Sequence, residues 1–120
     1  NQTENPREVY IIVPKRESSF SKTGVALVAL SRLNHERRLN GLFLDESDLE
    51  KYSLLARYCE EREIELTKTA GPKDLVEKID SLKGNQGVFA YVKDIDYGYS
   101  EDLSKALAKK GIRTEIRQLY

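Results

Sequence analysis

A three-layer α/β/α sandwich around a mostly parallel sheet of four or five strands is the fold this sequence predicts. Three observations predict it. From residue 8 to the C-terminus, short β-branched and aromatic runs alternate with helical stretches long enough to cross a sheet. One run, GVFAYV (87–92), is apolar almost throughout, as a strand covered on both faces must be. Most helical stretches carry apolar residues on one side and charge on the other, the pattern of helices laid on such a sheet.

The chain has 120 residues, enough for one domain with a single core. Residues 8–120 are read as that domain and 1–7 as a disordered lead-in. EVYIIVP (8–14) is the first strand, ending at Pro14. KRESSFSKTG (15–24) is polar, basic and Ser-rich, a loop. VALVALSRL (25–33) is apolar on nearly all sides, so periodicity alone fits a buried helix or a strand. Its Ala and Leu content and the basic NHERRLNG that follows favour a helix with cations in its last turn. LNGLFLDES (39–47) reads as a short buried strand.

Ser47 and Glu50 have the spacing of a capping box. They are expected to open a helix with Leu49, Tyr52, Leu55, Ala56 and Cys59 on its inner face. IELTKT (64–69) alternates like a strand. Gly71-Pro72 starts the next helix, with Leu75, Val76, Ile79 and Leu82 inward and Gly84 beyond its end. After the GVFAYV strand, Asp94 and Asp96 open a turn closed by Gly98. Ser100 is the expected N-cap of a helix that stops before Gly111. RTEIRQL (113–119) is a final strand at a sheet edge.

Twenty basic and twenty acidic side chains cancel, but they are not mixed evenly. Residues 1–40 carry seven Lys/Arg against four acids, 41–102 eight against fifteen, and 103–120 five against one. The ends are basic and the middle acidic, which permits a nucleic-acid partner without demanding one. The single cysteine excludes an internal disulfide and points to an intracellular compartment, cytoplasmic or nuclear. No apolar run approaches the roughly 20 residues that span a bilayer. The absence of Met suggests a fragment of a longer protein.

Candidate chemistry is sparse. Asp94, Asp96, Glu101 and Asp102 follow the expected central strand, where ligands of open α/β sheets bind, and carboxylates there suit Mg²⁺. The same residues also serve a turn and a helix N-terminus, and that reading is preferred, so no metal or cofactor is assigned. His35 reads as a solvated helix end, and Cys59 as a small buried hydrophobe rather than an activated thiolate. Phosphate-loop signatures are missing; SKTG (21–24) is at most a weak anion site. The remaining candidates are basic residues near an aromatic: Lys15, Arg16, Phe20 and Lys22 in one loop, then Arg32, Arg37 and Arg38. Such groups contact phosphates and stack on unpaired bases.

Several ordered pieces of residues 24–98 resemble a superfamily of small RNA-binding domains. These are a helix after Gly24, RRLNGLFLDES, a helix ending LARYCEEREIEL, GPKDLVEKIDSL, and Asn85-Gln86-Gly87 before VFAYV. The superfamily includes the ribosomal protein L30e/L7Ae group and the substrate-binding domain of SpoU-type RNA 2′-O-ribose methyltransferases. The resemblance implies a non-catalytic module that docks structured RNA as part of a larger protein. It does not extend to kink-turn recognition, because VALVAL stands where those binders carry an Asn-Glu pair and a Lys. Two other readings stay open. One is a protein-interaction or homodimerisation domain. The other is a small Mg²⁺-dependent phosphoryl-transfer enzyme using Asp94 and Asp96.

Overall fold

The computed structural model describes residues 7–14, 22–82, 87–94 and 97–119. It forms a three-layer α/β/α sandwich, and every strand pairing in its five-stranded sheet is parallel. The elements run β1 (Glu8–Pro14), α1 (Lys22–Arg37), β2 (Gly41–Asp45), α2 (Ser53–Arg62), β3 (Glu65–Thr69), α3 (Pro72–Asp80), β4 (Val88–Val92), α4 (Tyr97–Ala108) and β5 (Arg113–Leu119). The sheet order is β3-β2-β4-β1-β5. β4 is therefore central, as its unbroken apolar run requires, and all five of its residues are buried.

Alternation along the strands sorts the core into two layers. Tyr10, Ile12, Leu42, Leu44, Val88, Ala90 and Val92 meet α1 and α2 through Ala26, Leu30, Leu33, Leu55 and Cys59. Val9, Ile11, Val13, Phe43, Phe89 and Tyr91 meet α3 and α4 through Leu75, Ile79, Leu103 and Leu107. The chain steps outward through β2 and β3 with its helices on one face. It returns through β4 and β5 with helices on the other. Opposite directions on opposite faces give all four connections the same hand, as parallel crossovers demand. Every helix thus starts at the carboxyl edge of the sheet and ends at the amino edge.

Three local expectations are corrected. Ser47 and Glu50 do not cap a helix: Glu46–Asp48 wind into a 3-10 turn, and α2 begins at Ser53 after an N-cap, Tyr52, that lends no side-chain bond. Tyr52 is wholly inside the core, as its place on the expected inner face required. Ser100 is not an N-cap either. α4 starts three residues earlier, at Tyr97, so Gly98 lies in the helix rather than closing a turn. Ser100 shares the three- and four-residue stripe of Leu103 and Leu107, which faces the sheet, and it is fully buried. α1 begins at Lys22, inside the segment read as a loop.

Two polar devices fix the sheet's amino edge. Asn40 and Val88 bond reciprocally: the Asn40 N–H donates to the Val88 carbonyl (2.8 Å), and the Asn40 Oδ1 accepts from the Val88 N–H (3.0 Å). Gly87, at φ 151°, lies so close beneath that amide that a Cβ would collide with it. Arg7, assigned from sequence to the lead-in, donates its guanidinium to the Ile79 carbonyl (2.5 Å) at the end of α3. Asn85 and Gln86 lie outside the described residues, as does Gly84.

Candidate nucleic-acid interface

Because all helices end at the amino edge, the basic last turns of neighbouring helices converge there. α1 ends in His35 and Arg37, α2 in Arg62. Between these two ends lies a groove of about 570 Å³ lined by Asn34, His35, Arg38, Asn40, Arg62 and Glu63, with Leu39 and Ile64 at its base. Its walls are set by backbone geometry. Arg38 (φ 62°) and Glu63 (φ 59°) are the two non-glycine residues with left-handed backbone among those described. Each follows a helix C-terminus: the Arg38 N–H donates to Asn34 O (2.9 Å), and the Glu63 N–H to Glu60 O (3.4 Å). Left-handed residues at these positions are ordinary helix C-caps, here filled by Arg38 and Glu63 in place of the usual glycine.

The groove's side chains are held differently. Asn34 Oδ1 accepts the Leu39 N–H (2.9 Å), and its Nδ2 donates to the Tyr58 hydroxyl (3.3 Å). The Arg62 guanidinium lies 4.0 Å over the Tyr58 ring and 3.5 Å from Glu61. His35 and Arg38 are exposed and enter no ion pair among the described residues.

Of the seven residues picked from sequence, Arg38 lines the groove. Its chain neighbour Arg37 lines a separate cavity with Glu8, Tyr10 and Arg113. Arg37 is partly committed to the fold: it donates to the Tyr10 hydroxyl (2.5 Å) and to Glu8 Oε2 (2.9 Å). That hydrogen bond holds the Glu8 carboxyl below its ordinary value. Arg32 is exposed in the middle of α1. Lys22 opens α1 at the carboxyl edge, so about 22 Å of helix separates it from Arg37. Lys15, Arg16 and Phe20 lie outside the described residues. Sequence reasoning did not single out Arg62; His35, read as a solvated helix end, is exposed in the last turn of α1. The available signal was topological, since consecutive parallel crossovers place successive helix ends side by side.

The carboxyl edge carries a different constellation. Asp45, at the end of β2, is buried and accepts from Thr69 Oγ1 on β3 (2.6 Å), the Tyr91 hydroxyl on β4 (2.9 Å) and Lys93 Nζ (2.9 Å). Lys93 also reaches Asp48 at 3.0 Å. Burial pushes the Asp45 carboxyl up, but the bonds from Thr69, Lys93 and Tyr91 and the Lys93 charge outweigh it and hold the group below its ordinary value. This is a closed cluster, with its one cation shared between two carboxylates.

Asp94 lies just past β4, 3.9 Å from Lys51, and Asp96 is outside the described residues. Glu101 and Asp102 are exposed on α4. Among the described residues no three His, Cys, Asp or Glu side chains are placed to hold a metal ion. Cys59 is fully buried, and burial pushes its thiol up to about 11, so it stays protonated at neutral pH.

One buried polar atom in this region has no hydrogen-bond partner among the described residues: the Tyr52 hydroxyl. Burial raises its pKa, with Asp48 and Asp94 adding to the effect, so it remains a protonated donor. Tyr52→Phe removes an unsatisfied group while preserving the ring. Its expected effect is neutral to stabilising by up to about 1 kcal/mol, measured as the urea midpoint at constant slope.

No family model, curated protein or solved structure matches the chain. None of the described helices is long and apolar enough to cross a membrane.

Proposed function

We propose that the domain is a non-catalytic binding module that docks structured RNA through its amino-edge groove, as part of a larger protein. One observation carries the reading. His35, Arg38 and Arg62 line a single polar groove whose two walls are held by left-handed, non-glycine residues. Cations on a fixed frame suit a phosphate backbone, which is bound by charge and positioned by geometry. Arg37 and Arg32 extend the basic surface along α1. Asn40, whose Oδ1 accepts the Val88 N–H, adds its Nδ2 as a donor to ribose hydroxyls or base edges. Filter binding of a hairpin RNA across a salt series tests the reading, with Arg38 and Arg62 replaced in turn.

A second reading, a protein-interaction or homodimerisation domain, is favoured by a separate feature. α3 and α4 leave a groove between them whose apolar surface comes from Pro72, Val76, Tyr99, Leu103 and Ala106, with Lys73, Glu77, Asp102 and Lys110 also lining it, and Tyr99 is 44% exposed. Light scattering over a concentration series discriminates the two. Self-association abolished by Tyr99→Arg supports the interaction reading, and a strict monomer that binds RNA counts against it.

A further inference from the structure

The sheet ends in β3 on one side and β5 on the other. β3 has five residues, and its Lys68 carbonyl already takes a bond from Lys78 of α3. β5 is longer, with seven residues, and it is paired on one side only, to β1. The Arg113 N–H donates to the Arg7 carbonyl (3.0 Å), so Arg113, Glu115 and Arg117 turn their backbone groups toward β1. Backbone groups alternate sides along a strand, so Thr114 and Ile116 turn theirs outward. Such an edge is a template for another strand.

Charge says which strand. Glu115 and Arg117 stand symmetrically about Ile116, with side chains 55% and 31% exposed and 3.0 Å apart. Both lie on the sheet face that carries α1: Arg117 sits 4.9 Å over the Tyr10 ring and 3.7 Å from Glu36. Charged side chains usually blunt an edge, but this pattern complements itself. Antiparallel self-pairing centred on Ile116 sets Glu115 of each copy opposite Arg117 of the other. Ile116, with its backbone outward, then exchanges both hydrogen bonds with its counterpart. The charged positions fall in the intervening pairs, where side chains approach most closely. Centring on Glu115 or on Arg117 opposes like charges, and centring on Thr114 overlaps only Arg113–Glu115 of the strand. Cross-strand charges thus select one register.

We infer that β5 pairs antiparallel with β5 of a second copy of this chain, joining two five-stranded sheets across a two-fold axis at Ile116. The inference does not rest on the RNA reading, because the basic groove lies between the ends of α1 and α2. It also places self-association away from the groove between α3 and α4.

Light scattering over a concentration series tests it on the wild-type domain, Glu115→Arg and Arg117→Glu. Wild type is expected to dimerise. Each variant opposes like charges at both charged pairs and should dimerise at least about tenfold more weakly. Mixed in equal amounts, the two variants complement each other at both pairs and should regain most of the wild-type affinity, a rescue that a folding defect cannot produce. Amide exchange at Thr114 and Ile116 should slow as the wild-type concentration rises, a readout that needs no variant. A wild-type domain that stays monomeric overturns the inference, as do folded variants that dimerise like wild type or stay apart on mixing. Dimerisation abolished by Tyr99→Arg but not by the charge variants puts the contact between α3 and α4 and overturns it too. Protection of the two amides at every concentration means that a segment of the same chain covers the edge, with the same consequence.

Discussion

Asp45→Ala is expected to cost the fold about 3 kcal/mol, seen as a lower urea midpoint at neutral pH. Three donors from β3, β4 and the segment after β4 converge on this buried carboxylate. Its removal strands the Tyr91 hydroxyl in the core and leaves Lys93 with Asp48 alone. Asp45→Asn keeps the shape and the neutral bonds, so it should lose about half as much.

The effect has a pH signature. Asp45 is held below its unfolded value, so its contribution is complete above about pH 4 and is lost as pH falls through the lowered folded value. Lys93 behaves in the opposite sense. Burial pulls its pKa down, but bonds to Asp45 and Asp48 more than compensate and leave it raised. Its contribution holds below about pH 10 and fades as pH rises through the folded value. The gap between wild type and Asp45→Asn should therefore be flat across neutral pH and shrink below about pH 4. A gap that widens in acid would contradict the arrangement.

The second large effect concerns binding. Replacing Arg38 and Arg62 together by Ala should weaken RNA binding at low salt by one to two orders of magnitude, roughly tenfold for each lost phosphate contact. It should also make the slope of log affinity against log salt shallower by about 2, close to one unit per contact. Both side chains are on the surface, so stability should shift by no more than about 0.5 kcal/mol each. That separation matters for Arg62, which also covers the Tyr58 ring. Arg32→Ala, on the middle of α1, should change binding less than either.

The architecture was legible in the sequence because its signals are regional. The run Val88–Val92 had to be covered on both faces, and it is the central strand. Pro72 after Gly71 had to begin a helix, and does. Local signals missed both helix starts. The Ser47–Glu50 spacing met the local criterion for a cap, but Glu46–Asp48 form a 3-10 turn and α2 begins only at Ser53. Ser100 had the chemistry of a cap and the stripe position of a core residue, and the stripe won.

Strand order is carried by no single segment, so the amino-edge groove could not be foreseen. Lys22 and Arg37 are close in the sequence, yet they lie at opposite ends of one helix. Arg38 and Arg62 are 24 positions apart and share a groove. Gly41 was read as part of the β2 strand, but its closest approach, to Phe89 nearly fifty residues on, could not be foreseen.

The most direct measurement is filter binding of a hairpin RNA to the wild-type domain over a salt series, beside the Arg38→Ala/Arg62→Ala variant. The groove account predicts binding at low salt that weakens linearly on a log–log plot, with the variant weaker and its slope shallower by about 2. No binding at the lowest salt, or a variant whose affinity and slope match wild type, would contradict it.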